Sequence, residues 1–122
     1  DGRIKLHVTH RLLNFRRSHP ALFMQGSFSA LNVTGACSDS CVVFVRRHEG
    51  SALLVIVPRL SGRVGFPPVG DAWRDTALEW PEEFMGREVC ELFSGMKHTI
   101  SETSCAVAGA LRVLPVAAYA LV

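Results

Sequence analysis

The sequence predicts a mainly β protein, an antiparallel β-sandwich preceded by one N-terminal helix. Three observations carry this. Residues 3–19 repeat apolar side chains at helical spacing. The runs "CVVFVR" (41–46) and "ALLVIVP" (52–58) are dense in β-branched residues and flank a short turn with Gly50. Further short, strand-like runs follow, divided by Gly- and Pro-containing turns.

Each element has a local reason. On the helix, Ile4, Val8, Leu12 and Phe15 form one apolar stripe, and Leu6 with Leu13 a second, narrower one on another side. Lys5, Thr9 and Arg16 separate the two on one flank, and His7, His10, Arg11 and Asn14 on the other. A helix at the edge of a lone domain needs one stripe; two suggest a helix packed between two bodies. Pro20 disfavours helical geometry at His19, so the helix should end there. "PALFMQ" then makes a short turn that Gly26 can close, and "FSALNV" begins an extended segment.

"ALLVIVP" is apolar at nearly every position, so it should be a central strand covered on both faces. A long Gly/Pro-rich loop occupies residues 58–75, with Arg59 near its start and Trp73 and Asp75 near its end. "TALEW" (76–80) alternates, with Trp80 expected in the core, and "EVCELF" (88–93) reads as another strand. "SGMK" (94–97) reads as a turn, "CAVAGALRVL" (105–114) as a short helix, and "PVAAYALV" (115–122) as a final strand. Residues 1–26 are thus a linking helix and turn, and residues 27–122 the sandwich.

Composition narrows the function. With 122 residues, 48% hydrophobic and 20% charged, the chain reads as one globular domain. The net charge of +2 comes from 13 basic and 11 acidic residues scattered along the chain, which argues against a nucleic-acid partner. Arg16–Arg17 and Arg46–Arg47 read as solvated element ends. "DGRIKLHVTH" lacks a signal peptide's apolar core, and the apolar run 106–122 is broken by Arg112 and Pro115, so no membrane partner is expected. Cys37, Cys41, Cys90 and Cys105 have no zinc or redox spacing and read as buried or idle thiols in a reducing cytoplasm.

The chain offers no catalytic constellation. Glycoside chemistry needs two carboxylates facing each other, yet most acids here fall in turns or at outward strand positions. Asp71 and Asp75 are the best-placed pair, and turn formation with Arg74 accounts for them. His7 and His10 lie three apart but have no third ligand, so no metal is expected. No "GxSxG", phosphate-loop or dinucleotide motif is present, and no cofactor is expected. The candidate contacts to a ligand or a neighbouring domain are Arg59, Trp73 and Asp75, Trp73 because an exposed indole can stack on a sugar ring. The candidate interface residues are Leu6 and Leu13. Self-association through that pair alone should be weak, since specific interfaces bury about 1,200 Å² or more.

In order, "LLNFRRSHPALFMQGSFSAL", "VVFVRRHEGSALLVIVPRL", "GDAWRDTALEWPEEF", "CELFSGMKHTI" and "LRVLPVAAYALV" resemble the C-terminal end of maltooligosyl trehalose synthases, in the α-amylase clan. The helix joint and the hairpin are general to the clan, while "VPRL", "GDAWRDT" and "LPVA" favour this member. The resemblance implies an amylase-type C-terminal β-domain following the last helix of a catalytic barrel. It further implies a complete enzyme that converts the reducing-end α-1,4 link of a maltooligosaccharide to an α,α-1,1 link in trehalose biosynthesis. Its carboxylates lie on barrel strands, and none of those motifs occurs here, so no catalytic residue carries over. The implied partners are the barrel and, weakly, maltooligosaccharide. The alternative is an autonomous carbohydrate-binding or protein-interaction module derived from such a domain.

Overall fold

In the computed structural model, which describes residues 2–59 and 68–121, an N-terminal helix leads into two antiparallel sheets. Helix α1 spans Gly2–Ser18 and α2 spans Pro20–Met24, with Pro20 at a first-turn position where its missing N–H costs nothing. Strands follow as β1 (Ser27–Leu31), β2 (Val33–Thr34), β3 (Cys41–His48), β4 (Ser51–Pro58), β5 (Ala77–Glu79), β6 (Glu88–Glu91), β7 (Lys97–Thr99) and β8 (Ser104–Ala106). A four-residue helix α3 (Val107–Ala110) and strand β9 (Ala117–Leu121) complete the chain. The large sheet has the order β1-β3-β4-β9-β6-β7 and the small one β2-β5-β8. The chain changes sheet at Asn32, between β1 and β2.

The β3–β4 hairpin pairs His48 with Ser51 across the two-residue turn Glu49–Gly50. Both turn residues have positive φ, 47° and 84°, the twist that a tight antiparallel hairpin requires. As the unbroken apolar run predicts, β4 lies between β3 and β9 and is covered on both faces. Ala52, Leu54 and Ile56 point into the main core with Val43, Val45, Trp73, Leu78, Trp80, Phe84 and Leu111. Leu53 points to the opposite side, into a second core with Phe15, Leu22, Phe93, Ala118 and Ala120. The first core lies between the sheets and the second beneath the helices.

The joint is built by side chains from both parts. His19 stacks on Phe15 at 4.5 Å between ring centroids, and its backbone N–H donates to the Phe15 carbonyl at 3.0 Å. A Cβ at Gly26 would collide with the carbonyls of Leu22 and Arg47, so only glycine lets β1 start this close to α2. Arg46 is half-buried and donates to the carbonyls of Leu22 (3.3 Å) and Phe23 (2.6 Å), satisfying the orphan acceptors at the end of α2. Arg47 bridges Glu83 and Ser29. This corrects the reading of Arg46–Arg47 as a solvated element end; Arg16 and Arg17 are exposed in the last turn of α1.

Two element assignments also change. Residues 105–114 are not one helix: Cys105 and Ala106 pair with Leu78 and Ala77 of β5, and helical geometry begins only at Val107. Sheet pairing overrides the helix propensity of this alanine-rich run. Lys97, read as the end of a turn, opens the edge strand β7, whose residues are all exposed and so carry no apolar alternation. Residues 60–67, within the long loop, lie outside the described residues.

Candidate functional site

A cleft of about 640 Å³ opens where α1, the β6–β7 turn and the connection from α3 to β9 meet. Its walls include His7, Phe93, Met96, Arg112, Val113 and Tyr119. The β6–β7 turn is tightly specified: Glu91 N–H donates to the Met96 carbonyl and Gly95 N–H to the Glu91 carbonyl, both at 2.8 Å. From α1, His7 Nε2 donates to the Phe93 carbonyl at 2.6 Å and ties the helix to this turn.

Glu91 is the one acid buried among the described residues. One carboxylate oxygen accepts from Ser94 N–H at 2.8 Å and the other from Ala118 N–H at 3.1 Å. It stands in for the ladder partner that β9 lacks here, and both oxygens are engaged by backbone. Among the described residues no second acid lines the cleft beside it. Burial, followed by the nearby Cys105 and Glu91, pushes the Tyr119 hydroxyl well above the ordinary phenol range. Burial pushes the Cys41 thiol to about 11. Cys105 also rises to about 11, chiefly by burial and secondarily through Cys41. All four cysteines are free, and at those values Cys41 and Cys105 are protonated and unreactive near neutral pH.

The predicted contact residues are placed elsewhere. Trp73 is fully buried in the main core, and its indole N–H donates to the Pro68 carbonyl at 2.8 Å. This corrects its reading as a ligand or domain contact, because its ring faces are already spent on packing. Asp75 is exposed and accepts from Ala36 N–H at 2.8 Å, anchoring the segment after β2. Arg59 is exposed, and its backbone N–H donates to the Ser40 carbonyl at 2.7 Å. None of these three lines the cleft. Leu6 and Leu13 are 72% and 53% exposed, while Phe15 is buried and Val8 and Leu12 pack against the second core. His10 Nε2 accepts from the Asn14 amide at 3.1 Å, so His7 and His10 serve separate bonds. Among the described residues no three His, Cys, Asp or Glu side chains group to hold a metal.

Sequence reasoning missed the cleft because its walls come from three segments with no shared motif. Among the described residues no helix is long and apolar enough to cross a membrane. Searched against protein families and against curated proteins, the chain matches none.

Proposed function

We propose that this chain is the noncatalytic C-terminal domain of a cytoplasmic maltooligosyl trehalose synthase, packing behind the catalytic barrel and fixing its last helix. The observation that carries the reading is α1. Its wider stripe is spent on this domain, at Val8, Leu12 and Phe15, while Leu6 and Leu13 project outward on the other side. A helix belonging to this domain alone has no use for that second stripe, whereas one lying between two bodies does. The spent carboxylate of Glu91 supports a role without chemistry of its own, and the four free thiols suit a reducing compartment. The binding-module alternative is weakened, because its aromatic platform, Trp73, is buried.

The test is reconstitution. The chain is mixed with the barrel of a maltooligosyl trehalose synthase expressed without its own C-terminal domain. The chain alone should convert no maltohexaose, and adding it should raise the barrel's thermal stability. Turnover by the chain that disappears on mutating one of its acids, or no effect on the barrel, would overturn the reading.

A further inference from the structure

We infer that the cleft binds a small carboxylic acid with an apolar body, whose carboxylate pairs with Arg112 at the rim and whose second oxygen accepts from the Tyr119 hydroxyl. This goes beyond the role proposed above and does not depend on it, because every group involved belongs to this chain.

Tyr119 supplies the first observation. The residue is only 7% exposed, yet its hydroxyl has no hydrogen-bond partner among the described residues. Every side-chain nitrogen or oxygen sealed from solvent there does have one, so this hydroxyl reaches open space, and the open space that Tyr119 lines is the cleft. Its ring meets those of Trp80 and His98 edge-on, at 5.1 and 6.1 Å between centroids, which holds the hydroxyl in one direction. Burial keeps it protonated, so it donates. A buried polar group that is held in place and left without a partner is uncommon, and a ligand oxygen would complete it.

The cleft supplies the second. Its volume, about 640 Å³, falls within the roughly 300–1,000 Å³ of small-molecule sites. Met96 and Val113 stand 57% and 74% exposed on its walls, with Phe93, Leu114 and Val116 beside them. Arg112 lines the same cleft, is exposed, and has no ion pair or hydrogen bond from its guanidinium among the described residues. The one acid in the lining, Glu91, has both oxygens engaged by backbone N–H groups. Water satisfies a lone exposed arginine; this one borders an apolar hollow that offers a second unspent donor. Guanidinium and phenol both donate, so the ligand brings acceptors, a carboxylate for the cation and a neutral oxygen for the phenol.

Other ligands fit less well. An inorganic anion would satisfy Arg112 and leave the apolar walls wet. A hydrocarbon would cover the walls and leave both donors unused. A sugar would set its hydroxyls against Met96, Val113 and Leu114.

The test uses the whole chain, p-methoxyphenylbutyrate as the acid and the corresponding alcohol as its uncharged counterpart, followed by NMR titration near neutral pH. The acid should shift signals of Met96, Arg112, Val113 and Tyr119 and bind about tenfold more tightly than the alcohol. R112Q should weaken the acid about tenfold and leave the alcohol unchanged. Y119F should weaken both about fivefold, as expected for one neutral hydrogen bond. Arg112 is exposed and the Tyr119 hydroxyl is unbonded within the described residues, so both variants should melt with the parent. If Y119F melts lower, R112Q and the comparison of acid with alcohol on the parent chain still decide. No shifts at these residues at millimolar acid, equal binding of acid and alcohol, or undiminished acid binding by R112Q or by a stably folded Y119F would each overturn the inference.

Discussion

Replacing Glu91 with alanine removes the acceptor of two backbone N–H groups, from Ser94 at 2.8 Å and Ala118 at 3.1 Å. Ala118 is fully buried, so its N–H has no water to turn to, and leaving such a donor unmade costs about 1–3 kcal/mol. Ser94 lies in an exposed turn, and its lost bond costs about 1 kcal/mol. Relief of the desolvation of a buried charge works in the other direction, so the net destabilisation should be about 2–3 kcal/mol. At about 2.1 cal/mol/K per residue, unfolding this chain carries an entropy near 0.26 kcal/mol/K, and the melting temperature should fall by about 8–12 °C. Glu91→Gln keeps the shape but turns an amide N–H₂ toward one of the two donors, and should fall in between. Differential scanning calorimetry on the two variants and the parent measures this. A melting temperature for Glu91→Ala within about 2 °C of the parent would refute the reasoning, since it would mean both N–H groups find other partners at no cost.

Leu54→Ala, at a fully buried site on β4, should cost about 2–5 kcal/mol in urea unfolding. Amide hydrogen exchange should be slowest at residues 54–57, because the strand between β3 and β9 opens only with the whole domain. The pair Leu6→Ser and Leu13→Ser should leave the isolated chain within about 0.5 kcal/mol per site, as expected for exposed positions, while weakening any pairing with the barrel. Folding holds Cys41 and Cys105 protonated up to about 11 against an ordinary 9.0, so their stabilisation is complete below pH 9 and lost as pH rises toward 11. Urea midpoints across that range should therefore decline, and the decline should shrink in a Cys41→Ser, Cys105→Ser double variant.

Local signals determined the order and type of most elements. The stop at Pro20, the Glu49–Gly50 turn and the central position of β4 each follow from steric or hydrophobic constraints acting within a few residues. The split of the α1 apolar residues into an inward and an outward stripe was legible too, because helical periodicity assigns faces before any neighbour is known. Tertiary structure alone decided the rest. Whether "CAVAG" starts as strand or helix depended on β5 lying beside it, and exposed β7 left no apolar pattern to read. Charge type says nothing about partners: Arg46 turned inward because the last carbonyls of α2 stood above it, and Glu91 because β9 left a backbone N–H open at that point. The cleft joins residues as far apart as His7 and Val113, and the burial of Trp73 depends on the packing of both sheets. Such features arise from contacts between distant segments, and no window of sequence contains both partners.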